Sequence, residues 1–290
     1  MSDSEPLPNV FLNLFGGKVK KYLKKIIIAF VCVCLGAKSF ADDFDVFPFK
    51  LNVLNDSIIL GVSGGLAGSA FLYSDIFKAK ANNYEKNGYK KSDVIVFDQI
   101  FMNSYNKTLD FVGTGTMILC MASPFALFCT PSSQWLTIGT MFAETLLLAQ
   151  GVKEWIKNLV YRPRPYMYYE NFPQDKIDDG DWNCSFPSGH TTLSFAGAAF
   201  LSYVFSCYYP KSSWKYAVYG ISFGTAILTG ILRMCSGNHF FTDVLAGAII
   251  GTGCGFLIPF MHSKKYYSIF KKKKANVSIS PLGFNLKFYF

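Results

Sequence analysis

The sequence predicts an all-α protein, a polytopic membrane bundle of about six helices. Hydrophobic residues fill 51% of the 290 positions and charged residues only 16%, against roughly 25% charged in a soluble domain. The middle of the chain breaks into long uncharged blocks, with most ionisable groups confined to the stretches between them. Most blocks approach the ~17 to 25 residues a helix needs to cross hydrocarbon. A spanning segment there must satisfy its own backbone hydrogen bonds, which favours helices. A soluble all-α protein with buried core helices would seldom repeat blocks of this length so often.

Residues 1–41 come first. A basic stretch (Lys18, Lys20, Lys21, Lys24, Lys25) precedes the apolar run Ile26 to Ala37, then Ser39-Phe40-Ala41 and the acidic Asp42-Asp43. This is the layout of a secretory signal peptide, with an uncleaved N-terminal anchor as the alternative. Residues 42–107 form an N-terminal helix and loop. The helix is the block Ile58 to Tyr73, weakened as an isolated helix by Gly61, Gly64, Gly65 and Gly68. The loop from Ser74 to Asn106 is expected to shape access to a site.

Residues 108–262 form the membrane core, with blocks at Phe111 to Cys129, Trp135 to Val152, Thr191 to Tyr208, Ala217 to Leu232 and Phe240 to Met261. Residues 263–290 are a basic tail ending in a strand-like alternation, Leu282, Phe284, Leu286, Phe288 and Phe290, which resembles one barrel strand without partners to close a barrel. The net charge of +9 is mostly lysine near the two ends. Lys264, Lys265 and Lys271 to Lys274 belong on a cytoplasmic face against anionic lipid, so no nucleic-acid partner is expected. Of the eight cysteines, only Cys184 and Cys235 fall among polar connections, and no spacing matches a zinc site.

Three polar clusters lie at helix ends: Lys157 with Arg164-Pro165, Pro187-Ser188-Gly189-His190, and Arg233 with His239 and Asp243. Singly they read as interfacial anchors and caps. The chain has only three histidines, however, and two of them, His190 and His239, lie in these clusters. Together the clusters point at a phosphoryl group. Lys157, Arg164 and Arg233 are cations, and the arginines offer planar forks for phosphate oxygens. Ser188 and Gly189 open a helix whose free amides attract an anion.

His239 and Asp243 stand four apart on one helical face, where the carboxylate would hold one imidazole nitrogen and leave the other to attack phosphorus. His190 would act as general acid and then base. Positioning and positive charge are most of what phosphoryl transfer requires. With no carboxylate cluster left for a metal pair, neither metal nor cofactor is expected.

These three elements, Lys-x6-Arg-Pro, Pro-Ser-Gly-His and Arg-x5-His-x3-Asp, resemble in order the signature of the type 2 phosphatidic acid phosphatase superfamily, over residues from about Phe111 to Met261. One departure is Leu232, where the family often has a small hydroxyl residue; one auxiliary hydrogen bond is affected. The resemblance implies a six-helix membrane core, a phosphohistidine on His239, and His190 as acid and base. It also implies phosphate binding by Lys157, Arg164, Ser188, Gly189 and Arg233. Implied substrates are lipids of the phosphatidate, lysophosphatidate, phosphatidylglycerophosphate or undecaprenyl diphosphate type. Rival readings are a vanadium-dependent haloperoxidase-like enzyme and a non-catalytic membrane scaffold.

Glu144, in mid-span, is expected to be a protonated or hydrogen-bonded structural glutamate, with pairing to a basic residue of the site as the alternative. His262 is expected to be merely interfacial. Alternation of spans puts all three clusters on one face and the Lys211/Lys215 connection with the basic tail on the other. The positive-inside bias then places the site outside the cytoplasm, on a bacterial-type inner membrane. There Cys184 and Cys235 would be available for a disulfide. A signal-like leader and a fully crossing Ile58 to Tyr73 conflict with that orientation, so one of the two must give way. The particular lipid and the oligomeric state are not legible.

Overall fold

The structure is a computed structural model that describes residues 47–78, 89–170, 172–271, 275–280 and 283–288. Its helices are α1 (Val53–Lys78), α2 (Val96–Ile100), α3 (Lys107–Ala122, continued by a 3-10 stretch Ser123–Cys129), α4 (Trp135–Leu159), α5 (Gln174–Asp178), α6 (Gly189–Tyr208), α7 (Trp214–Cys235), α8 (Phe241–His262) and α9 (Lys264–Lys271). Six of these are long, one for each apolar block. Val53–Tyr73, Lys107–Cys129, Trp214–Cys235 and Phe241–His262 are long and apolar enough to cross a membrane by themselves. The other two, α4 and α6, reach 25 and 20 residues; α4 carries Glu144, Lys153, Glu154 and Lys157, and α6 opens with the polar run His190, Thr191, Thr192 and Ser194. Large side chains such as Val62, Phe111, Leu136 and Ile249 point outward, as a lipid-facing surface requires.

At the centre, α6 packs against α3, α4, α7 and α8, and most of its residues are buried. Its contact with α8 is a seam of small residues, the pattern that lets membrane helices approach backbone to backbone. A Cβ on Gly247 would stand 2.7 Å from Ser188 O, on Gly251 2.1 Å from Thr192 O, and on Gly255 2.6 Å from Ala196 O. The residue numbers rise together along the seam, so the two helices run parallel and both start at the same end. That register brings the Gly189-His190 start of α6 beside the His239 loop that leads into α8.

The glycine-rich first block is fully helical. At 26 residues and ~1.5 Å per residue, α1 is about 39 Å long, enough to cross. It is stabilised by packing along α4 rather than by propensity. A Cβ on Gly151 would meet Ala67 N at 2.8 Å, and Asn158 Nδ2 donates to Ala70 O at 2.9 Å. The start of α1 lies beside the end of α8, where Lys50 N donates to His262 O at 3.0 Å and Phe49 bridges Ser263. Residues 49–52 are therefore on the face opposite His239.

The fold is the helix bundle expected, and the strand-like tail belongs to a short hairpin in which β2 (Gly283–Phe288) runs antiparallel to β1 (Ala275–Ser280), with Ala275 opposite Phe288. One expectation is corrected: no disulfide joins Cys184 and Cys235. Backbone pairing of Cys184 with Arg162 holds its segment in place, and its sulfur turns to Asn183 Oδ1 at 3.4 Å. The signal-like segment lies outside the described residues, as do residues 79–88 of the Ser74 to Asn106 loop.

Candidate active site

At the end of the bundle where α6 and α8 begin, a cavity of about 340 Å³ is lined by Lys157, Arg164, Gly189, His190, Arg233 and His239. Three clusters far apart in the sequence thus share one pocket. The turn Ser236 to Asn238 sets the approach of His239. Gly237 sits there at φ 72°, and any Cβ would collide with Asn103 O at 2.6 Å, so glycine is required for both reasons.

His239 is 1% exposed. Its Nδ1 lies 2.7 Å from Ser185 O; a carbonyl only accepts, so Nδ1 carries the proton and Nε2 keeps its lone pair. That Nε2 faces Arg164 Nη1 at 3.3 Å. Burial first, then the charges of Arg164, Arg233 and Lys157, push the imidazole well below its ordinary value of 6.5. It is neutral at physiological pH.

The orienting bond was expected from Asp243, and here the structure differs. Asp243 Oδ2 stands 3.7 Å from Nδ1, beyond hydrogen-bonding reach. The carboxylate is occupied elsewhere: it accepts from Phe240 N at 2.8 Å, capping α8, from Ser185 Oγ at 2.5 Å, and from Arg162. Asp243 thus anchors the Ser185 segment whose carbonyl holds the imidazole. Ser188 also stands back from the cavity. Its hydroxyl is fully buried and accepts from Thr191 Oγ1 at 2.9 Å, while its amide donates to Asp243 O at 3.0 Å.

His190 Nε2 lies 3.0 Å from Thr114 Oγ1, and that hydroxyl donates its own proton to Asp110 O at 3.1 Å. The remaining contact is therefore an Nε2–H of His190 donating to the hydroxyl oxygen. Arg164 is held from behind. Its Nε and Nη2 donate to Asp181 O and Oδ1 at 2.7 and 2.6 Å, and Nη1 donates to Asn238 O at 3.2 Å. Burial acts upward on the Asp181 carboxyl, but the charges of Arg164 and Lys157 outweigh it and hold it well below the usual range. Arg233 contacts Asp110 Oδ1, which belongs to a carboxylate that also accepts from Tyr105 at 2.9 Å. Lys157 has neither hydrogen bond nor ion pair among the described residues, and it lines the cavity.

Several groups were not anticipated from the sequence. Lys153, one turn before Lys157 on the same face of α4, is 5% exposed, contacts Glu154 and packs against Gly189. The i, i+4 spacing was the available signal. Arg162 bridges Asp98 at 2.6 Å and Asp243, and stacks over Phe240 with its guanidinium carbon 4.1 Å from the ring centroid. Its doublet with Arg164, Arg162-Pro163-Arg164-Pro165, was visible. Asp98, Asp110 and Asp181 had no sequence signal. The cavity wall thus carries five cations (Lys153, Lys157, Arg164, Lys176, Arg233) against two acids (Asp110, Asp181), an excess suited to a polyanion.

Glu144 does not join this site. It is fully buried with His262 and Asp56 at the start of α1 and the end of α8. His262 is 1% exposed, so it is a buried residue rather than an interfacial one.

The fold and the site define a membrane helix bundle with a cationic pocket around a neutral histidine. Residues 139–267 match the PAP2 superfamily, and the three clusters all fall within them. Among curated proteins it is similar to probable lipid phosphate phosphatase 4 of Arabidopsis thaliana, at 38% identity over 117 residues, covering 33% of this chain and 38% of the relative. It is also similar to phosphatidylglycerophosphatase B of Bacillus subtilis, at 32% identity over 119 residues, covering 41% of this chain and 53% of the relative. The chain thus spans between two fifths and about half the length of these two relatives. Among solved structures, the PAP2 type phosphatidylglycerolphosphate phosphatase from Bacillus subtilis aligns with TM-score 0.40 and 25% identity, over 71% of this chain and 98% of that one.

Proposed function

We propose that this protein is a phosphatase acting on a phosphorylated membrane lipid, with His239 as nucleophile. The observation that carries the reading is a neutral imidazole whose Nε2 lone pair faces a pocket of five cations. The phosphoryl oxygens lie against Arg164, Arg233 and Lys157, with the Gly189 amide at the α6 N-terminus as a further donor.

His239 Nε2 bonds to phosphorus as the bond from phosphorus to the lipid oxygen breaks, and His190, held as the imidazolium beside the bound phosphate, gives its Nε2 proton to that oxygen and becomes neutral. His190, now a base, takes a proton from water. The hydroxide oxygen bonds to phosphorus, the phosphorus–nitrogen bond breaks, and inorganic phosphate leaves. Asp243 and Arg162 act as positioning residues: they hold the Ser185 carbonyl, which fixes the proton on Nδ1.

The names of the similar proteins support a lipid substrate, and the outward apolar surface supports entry from the bilayer. The pocket lies opposite Lys264, Lys265 and residues 49–52, and positive charge favours the cytoplasm. We therefore place the pocket on the extracytoplasmic side. In that orientation residues 49–52 are cytoplasmic, so Ile26 to Ala37 does not translocate them.

The test is phosphate release from full-length protein in detergent against phosphatidate, phosphatidylglycerophosphate, undecaprenyl diphosphate and lipid A, for wild type, His239→Ala and His190→Ala. Rapid quenching with a ³²P-labelled substrate should trap an acid-labile label on wild-type protein, increased in His190→Ala and missing from His239→Ala. A folded wild type that releases nothing would leave the scaffold reading standing. A requirement for vanadate and peroxide would support the haloperoxidase reading.

A further inference from the structure

A second polar centre lies at the opposite end of the bundle. Asp56 from the first turn of α1, Glu144 from the middle of α4 and His262 from the last turn of α8 converge there, with their ligand atoms within 4.8 Å of one another. Since α8 has 22 residues, it separates this centre from the His239 loop by about 33 Å.

Its hydrogen bonding is incomplete in an informative way. His262 Nδ1 lies 2.9 Å from Ile258 O, and its Nε2 lies 3.1 Å from Asp56 Oδ1 and 3.2 Å from Glu144 Oε2. One ring nitrogen is thus set between two carboxylates, and it hydrogen-bonds to Asp56 alone. Neither oxygen of Glu144 has a hydrogen-bond partner, and the residue is fully buried. Two carboxylates directed at one point repel one another, one imidazole cannot satisfy both, and burial in an apolar bundle leaves the repulsion unscreened.

We propose that Asp56, Glu144 and His262 form a binding site for one divalent transition ion, Zn²⁺ or Mn²⁺, that ties α1 to the core. One nitrogen and two carboxylate oxygens are the donor set these ions take, whereas Mg²⁺ and Ca²⁺ prefer oxygen alone. Metal–ligand bonds of ~2.0 to 2.2 Å in a tetrahedron put ligand atoms about 3.3 Å apart, and the observed separations of 3.1 and 3.2 Å are close to that. The other imidazole nitrogen donates to a backbone carbonyl, the usual outer-shell arrangement of a metal-bound histidine. The dication balances the two carboxylates. A cavity of about 120 Å³ bordered by Asp56, His262, Asn55 and Tyr266 opens on the site and gives an entry path and room for a fourth ligand. This centre is separate from the pocket proposed for catalysis.

The experiment uses full-length protein in detergent, stripped with EDTA, desalted and titrated with ZnCl2 or MnCl2 alone. Bound metal is read by mass spectrometry and stability by intrinsic fluorescence melting. Wild type should take up close to one equivalent that survives desalting, with Tm rising by about 5 °C or more at saturation. Glu144→Gln and His262→Gln should bind no ion and show no rise, and each variant is checked for folding by its elution and circular dichroism. Wild type that retains no ion and melts unchanged with either metal overturns the proposal. So does a folded Glu144→Gln that still binds one equivalent. A Glu144→Gln variant that melts higher than metal-free wild type, which itself ignores metal, identifies the centre as carboxyls sharing a proton, and that too overturns it.

Discussion

Replacing Arg162 by methionine should destabilise the protein and disable it together. Arg162 pairs with Asp98 and Asp243 at once, the one arginine or lysine that does so among the described residues, and both carboxylates are fully buried. Methionine fills much of the same volume over the Phe240 ring but leaves two buried carboxylates without their cation. Removing one partner of a buried pair costs about 3 to 5 kcal/mol, because the charge left behind keeps its desolvation penalty. Two such charges sharing one cation place the expected loss at the upper end of that range. At roughly 2 to 4 °C per kcal/mol, melting should fall by about 10 to 20 °C.

The damage reaches His239 through named bonds. Asp243 relieves its charge by taking up a proton or turning outward, the Ser185 hydroxyl loses its acceptor, and the Ser185 carbonyl no longer fixes the imidazole tautomer. Turnover should therefore drop further than KM rises. The assay is a melt in detergent, with phosphate release measured well below the variant's midpoint. Arg162→Lys should rescue only part, since one ammonium cannot bridge both carboxylates as a planar fork does. Arg162→Met combined with Asp98→Asn should melt above the single variant, because one stranded charge is gone. A single variant that melts within 3 °C of wild type, or keeps full turnover, would refute the role assigned to this bridge.

Because burial and the pocket's cations depress the His239 imidazole, kcat/KM should have no acid limb at 6.5. The limb should lie well below it, and Lys157→Met should move it upward by removing a neighbouring positive charge; a wild-type limb at 6.5 contradicts the neutral-histidine assignment. The same depression costs stability as pH falls. The unfolded histidine takes up a proton near 6.5 and the folded one does not, so Tm should decline on acidification through that range. Lys153→Met should lower kcat/KM roughly tenfold or more, the worth of one charge-assisted hydrogen bond, and unchanged kinetics would exclude it from the phosphate shell. Along α8, Gly251→Ala should destabilise by about 1 to 3 kcal/mol through collision with Thr192 O. Gly253→Ala, with open space around it, should stabilise by up to about 1 kcal/mol through helix propensity. Equal melting shifts for the pair would contradict the close α6–α8 seam.

Much of this protein is decided locally, and what is local is legible. A run of apolar residues in lipid has little choice but helix, so six blocks gave six helices. Lys157, Arg164, Gly189, His190, Arg233 and His239 were identifiable because cations, a helix start and scarce histidines at span ends are unusual in a chain this apolar. The glycines of α1 misled in part, because propensity describes an isolated helix and α1 is held by α4. The C-terminal strand pairs with Ala275–Ser280, where Ala275, Val277 and Ile279 alternate with Asn276, Ser278 and Ser280, a period of two that the sequence shows as plainly as the alternation after it.

Other features depend on which groups meet, and only the tertiary structure decided those. His239 and Asp243 are rightly spaced for a direct bond, yet Asp243 is claimed by Arg162, Ser185 and the start of α8, and a carbonyl takes its place on the imidazole. Asp98, Asp110 and Asp181 look like ordinary loop or helix-start acids until the fold sets them against Arg162, Arg233 and Arg164. Glu144 and His262 stand over a hundred residues apart, and Asp56 is more distant still from His262. Their convergence follows from how closely α1, α4 and α8 pack, and no single segment encodes that distance.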